Sequence, residues 1–121
     1  MTLTVYGIKN CSSVKKALTI LDDQQITYDF FDFKKQEMTQ ELLDTFISEF
    51  GMDKVLNKRS TTWRNLSDEE KNAASIDDNA AKDLMIAQPN LIKRPIILGQ
   101  DKTKTVATIG FDHDAIIAAI S

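Results

Sequence analysis

Residues 3–33 read LTVYGIKNCSSVKKALTILDDQQITYDFFDF, and this stretch decides the fold. Residues 3–8 are short, apolar and rich in β-branched side chains, the pattern of a buried strand. Val14, Ala17, Leu18 and Leu21 then recur at spacings of three and four, with Ser12, Ser13, Lys15 and Lys16 on other faces. That periodicity predicts a helix ending near residues 22–25. Residues 27–33 return to aromatic and β-branched side chains and read as a second strand. Strand, helix and strand with tight connections form a βαβ unit with a parallel pair.

Working outward, Thr39-x-x-Leu42 opens an amphipathic helix. Leu42, Leu43, Phe46, Ile47 and Phe50 supply its apolar face, and Gly51 is placed to cap its C-terminus. Residues 52–66 read as irregular. Ser67-Asp68-Glu69-Glu70 is a helix start with a cap and an acidic first turn. A helix over residues 78–88 buries Ala81, Leu84 and Met85 before Pro89 stops it. PIILG at 95–99 is a short strand, residues 102–105 turn the chain, and 106–109 returns as the second arm of a hairpin. Asp112 begins a last helix with Ile116, Ile117 and Ile120 inward. The expectation is an α/β, thioredoxin-like fold, one domain over residues 1–121. Its four-stranded sheet is mixed, with the first strand central, the second on one side and the hairpin on the other. A helical insert occupies about residues 39–90, more than a minimal glutaredoxin carries.

The totals narrow the function. A chain of 121 residues, 42% hydrophobic and 27% charged, can bury one core without staples. A net charge of −3 argues against nucleic acid as partner, since phosphate binding needs a basic footprint. One cysteine and one histidine exclude an intramolecular disulfide and argue against any metal site. A lone thiol fits a reducing compartment. MTLTVYGIKN lacks the apolar run of a signal peptide, and no segment approaches a membrane span. The reading is a cytoplasmic monomer with no bound cofactor and no membrane partner.

Cys11 falls where the first strand ends and the first helix begins. Free N–H groups and the helix dipole favour a thiolate there, and Lys9, Lys15 and Lys16 add positive charge. The alternative is an inert buried cysteine; the strand-to-helix turn favours the reactive reading. Arg94 precedes Pro95 at the start of the third strand and is a candidate to anchor an anion or stabilise the thiolate, against a solvated surface arginine. From spacing alone, an ordinary trans bond before Pro95 is expected. Arg59 and Arg64 flank Ser60-Thr61-Thr62-Trp63, two guanidinium groups among hydroxyls that suit an anion or a tripeptide thiol. Trp63 is more often core than ligand contact, and His113 reads as a surface residue. Candidate substrate-binding residues are Lys9, Asn10, Ser12, Ser13, Arg64 and Pro95, beside Cys11, Arg94 and Arg59 as catalytic candidates.

Taken together, Tyr6-Gly7-Ile8-Lys9-Asn10-Cys11, Lys15-Lys16-Ala17, Leu56-Asn57-Lys58-Arg59-Ser60-Thr61-Thr62-Trp63-Arg64, Pro89-x-Leu91-Ile92-Lys93-Arg94-Pro95 and Gly110-Phe111 resemble the arsenate reductase-like family. Within it they resemble the subgroup typified by YffB, over nearly the whole chain. The resemblance implies a thioredoxin-like fold with a helical insert, a cis bond before Pro95, and a site built from Cys11, Arg59 and Arg94. For that subgroup it implies glutathione-dependent thiol reduction. Two departures stand out. Glutaredoxin-linked arsenate reductases carry a third arginine near the last strand, where this chain has Thr108-Ile109-Gly110-Phe111. Spx regulators, which bind RNA polymerase, usually carry Cys-x-x-Cys, where this chain has Val14. Gly51 resembles a glycine that Spx uses on polymerase, but glycine is common there across the family.

The preferred expectation is a monothiol mechanism with glutathione as co-substrate, its carboxylates paired with Arg59 and Arg94 and its backbone aligned at Pro95. The rivals are arsenate reduction completed by glutathione and glutaredoxin, and a non-enzymatic adaptor.

Overall fold

The computed structural model describes residues 3–101 and 104–121. The chain forms two compact units, residues 1–36 with 94–121, and residues 37–93.

The first unit holds a four-stranded sheet in the order β2-β1-β3-β4. β1 (Leu3–Gly7) pairs parallel with β2 (Tyr28–Asp32) and antiparallel with β3 (Ile96–Asp101), which pairs antiparallel with β4 (Lys104–Ile109). This is the mixed sheet with a central first strand that the sequence predicts. β4 starts at Lys104, so Lys104 and Thr105 are strand, not turn. The rest of the expected turn, residues 102 and 103, lies outside the described residues. Leu3, Val5, Ile97 and Val106 cluster with Ala17, Ile20 and Leu21 of α1 (Ser12–Asp23) and Ile116 of α7 (His113–Ile120). Removing that apolar area from water drives the unit's folding. Ile20 joins the core beside the expected Val14, Ala17 and Leu21, while Leu18 is only half-buried. Asp112 caps α7 by accepting the Ala115 N–H at 3.1 Å.

Gly7 sets how closely α1 approaches β1. A Cβ at Gly7 would lie 2.7 Å from Val14 Cγ2. Val14 is fully buried, so neither partner can give way cheaply. Gly7→Ala is expected to destabilise the protein by about 1–3 kcal/mol in urea unfolding, the cost of overpacking.

The second unit is helical. α2 (Gln40–Phe50) is capped by Thr39, whose hydroxyl accepts the Leu42 N–H at 3.1 Å. It ends at Gly51, whose φ of +89° is readily adopted only by glycine. Residues 52–66 are not irregular throughout: α3 (Met52–Val55) and α4 (Thr61–Arg64) are single helical turns. Four residues are too few to show a 3.6-residue period, which is why periodicity misses them. α5 (Asp68–Ile76) opens on a reciprocal capping box between Ser67 and Glu70. α6 (Asp78–Ala87) buries Ala81 and Met85, with Leu84 half-buried, and a 3-10 turn at Pro89–Leu91 follows it. An isolated bridge joins Leu56 to Ile92.

Candidate active site

Cys11 occupies the N-cap of α1, with φ −79° and ψ 127°. Its backbone is held twice: its N–H donates to the Ile8 carbonyl at 3.1 Å, and its carbonyl accepts from Lys15 at 3.0 Å. The side chain is partly exposed and makes no capping hydrogen bond of ordinary geometry. Partial burial pushes the thiol pKa up, but opposing influences prevail and the net value falls below the ordinary one. The N–H groups of Val14 and Ser13 act first, then a hydrogen bond from the Arg94 guanidinium and its charge. Helix amides ahead of arginine is the order that the N-terminal placement predicts. Lys9, Lys15 and Lys16 are exposed and do not figure among the causes, as screening by water would have it.

The fold therefore brings Arg94 to Cys11, although 83 positions separate them in the sequence. The Arg94–Pro95 peptide is cis, as the resemblance implies and spacing alone does not. The Pro95 carbonyl accepts the Gly110 N–H at 2.8 Å. A tripeptide aligned through that same carbonyl would have to share it. This bond also places residues 108–111 beside the cis peptide. Thr108 Oγ1 is buried there with no hydrogen-bond partner among the described residues. Ser12, Lys9 and Asn10 are exposed around the cysteine, and Ser13 is half-buried.

Arg59 and Arg64 belong to the second unit, and both are exposed. Asn57 Oδ1 accepts the Arg59 N–H at 3.1 Å, and Arg64 Nη2 donates to the Arg59 carbonyl at 3.2 Å. Arg64 thus ties down the backbone of Arg59. Ser60 caps α4 through Trp63, a half-buried ring with Lys58 Nζ 5.4 Å from its centroid. His113 is exposed as expected, with Nδ1 3.2 Å from Asp114.

Sequence reading missed the turn after β2. Phe33 donates its N–H to the Gly7 carbonyl at 2.9 Å, and buried Asp32 accepts the Lys34 N–H at 2.9 Å. Lys34 and Lys35 are thereby fixed at the same sheet end as Cys11. The visible signal was an aspartate two residues before a lysine, an Asx turn.

A cysteine at the N-cap position of a helix, joined by an arginine from beside a cis-proline, on a β-α-β…β-β-α sheet, defines the thioredoxin-like, arsenate-reductase-like class of thiol proteins. The sequence model of the ArsC family matches residues 6–119, and the chain belongs to that family. It is 44% identical over 119 residues to an uncharacterized protein of Haemophilus influenzae, covering 98% of this chain and 99% of the relative. The solved structure of a YFFB protein superposes with a TM-score of 0.86 at 40% identity, over 98% of this chain and 99% of that one. The regulatory protein MgsR of Bacillus subtilis is 30% identical over 102 residues, 83% of this chain and 79% of its own. Among the described residues no helix is long and apolar enough to cross a membrane.

Proposed function

We propose that this chain is a glutathione-dependent monothiol oxidoreductase acting in the cytoplasm through Cys11. The observation that carries the reading is the Cys11 sulfur at the N-terminus of α1 with the Arg94 guanidinium hydrogen-bonded to it. The thiolate attacks the glutathione sulfur of a mixed disulfide, forming a Cys11–glutathione disulfide and releasing the substrate thiolate. A second glutathione thiolate attacks the bound glutathione sulfur, giving glutathione disulfide and free Cys11 thiolate. Atoms and electrons balance with glutathione as the reductant, which suits a chain with no second cysteine. Arg94 holds the thiolate form and anchors a carboxylate. Intact mass after incubation with glutathione disulfide tests the cycle. One adduct at Cys11, released by reduced glutathione, supports it; no adduct, or one that glutathione cannot release, contradicts it.

Arsenate turnover is expected to be weak. Thr108, Ile109, Gly110 and Phe111 leave the third arginine position without a cation. One lost oxyanion contact costs about 2.7–4 kcal/mol, or on the order of 10²–10³ in rate. Assay with arsenate, glutathione and glutaredoxin checks this, and turnover at ordinary enzyme rates would favour arsenate as substrate.

The regulators among the relatives support a second reading, an adaptor that binds RNA polymerase. Here Val14, fully buried, stands where a redox pair would need its second cysteine. Co-purification of polymerase with a Cys11→Ser chain would favour that reading.

A further inference from the structure

The charges of α1 run against its own dipole. Lys15 and Lys16 stand in its N-terminal half and Asp22 and Asp23 close its C-terminus. Cations near the positive end and anions near the negative end each cost a few tenths of a kcal/mol or more. The arrangement forgoes stability and leaves a basic end at Cys11.

The sheet adds to that end. β1 and β2 are parallel, with Gly7 opposite Asp32, so both chains leave the sheet at the edge where α1 begins. Lys9 follows β1, and the Asp32-anchored turn delivers Lys34 and Lys35 after β2. Lys35 and Gln36 donate their N–H groups to the Asp32 carbonyl at 3.0 and 2.9 Å, which closes the turn. Lys9, Lys15, Lys34 and Lys35 are exposed, and the ion pairs of the described residues, Lys82–Asp44 and His113–Asp114, involve none of them. Lys16 is different: its Nζ stands 5.7 Å from the centroid of the Phe111 ring. The acids of the same sheet end are Asp32, buried and engaged by the Lys34 N–H, and Asp112 and Asp114, which follow β4, two strands from β1, and are engaged by the α7 cap and by His113. Exposed Glu37 follows the lysine turn in sequence, so four lysines stand against two acids on the β2 side. In a chain of net charge −3, the β2 side of the Cys11 edge is a local excess of positive charge.

We infer that Lys9, Lys15, Lys34 and Lys35 form a steering edge that selects anionic disulfides for Cys11 over neutral or cationic ones. The inference rests on Cys11 being the attacking thiol and names the substrate class. Long-range attraction of this kind raises association rates by about tenfold or more at low salt and disappears on screening.

The test measures Cys11 attack on two small disulfides, dianionic dithiobis(nitrobenzoate) and dicationic cystamine. In each case the Cys11 thiolate forms a mixed disulfide and one probe thiolate leaves. Each rate is divided by the alkylation rate of the same chain with neutral iodoacetamide, which cancels changes in thiolate fraction. The Lys34→Glu/Lys35→Glu chain should lose about tenfold toward the dianion and gain severalfold toward the dication at low ionic strength. Lys34→Gln/Lys35→Gln should fall between, and high salt should bring all three chains together. Equal responses to both probes, or no response, would overturn the steering edge. An iodoacetamide profile with the pKa of a free thiol would instead overturn the activated Cys11, so the two failures are told apart.

Discussion

Replacing Cys11 by serine is expected to reduce the proposed glutathione-dependent disulfide reduction by about a thousandfold or more. Serine fits the N-cap and is a favoured capping residue, so the chain should remain folded. What it lacks is a group ionised near neutral pH and able to attack sulfur. Steady-state turnover of a glutathionylated peptide measures the loss. The same variant exposes a pH signature in stability. The folded thiol ionises below its ordinary value. Its contribution is therefore fully present above the unfolded-state pKa and is lost as pH falls through the folded-state pKa. Under reducing conditions, the stability of wild type relative to Cys11→Ser should rise with pH across that window and be flat below it. Urea unfolding at several pH values checks the slope, and a difference that falls with pH would contradict the shift.

Arg94→Ala is expected to slow the same reaction roughly tenfold to a hundredfold near neutral pH. A hydrogen bond to a charged group contributes about 1.5–3 kcal/mol, and here the charged partner is the thiolate itself. The loss should divide between a smaller thiolate fraction and a weaker hold on the carboxylate of the proposed glutathione substrate. Raising the pH restores the first part and not the second, so the ratio of wild type to variant should narrow with pH without reaching one. Arg94→Lys should recover part of the rate, because lysine supplies the charge without the planar fork.

The sheet was legible because its signals are local. A strand, a helix with its stripe at three and four, and a second strand follow one another within residues 3–33, and such order leaves a parallel pair as the natural outcome. Cys11 was legible for the same reason: a helix start announces itself through Ser12, Ser13 and the apolar spacing behind them. The short helices α3 and α4 were not, since one turn has no period to detect. The meeting of Arg94 with Cys11 was beyond local reading. It depends on β3 entering the sheet beside β1, a contact made by topology; the place of Arg94 before Pro95 offered it as one of two readings, and the resemblance implied it. The Asp32 turn was visible as a motif but silent as to place, because its relation to Cys11 comes from the register Gly7–Asp32. The Gly7–Val14 approach was equally hidden, as a glycine in a strand does not say which side chain would fill its missing Cβ.

The central claim is that Cys11 is an activated nucleophile, and its rate of alkylation by iodoacetamide against pH tests this most directly. The account predicts a midpoint below that of an ordinary thiol, moved upward by Arg94→Ala. A midpoint at the ordinary value, unmoved by the arginine change, would contradict it.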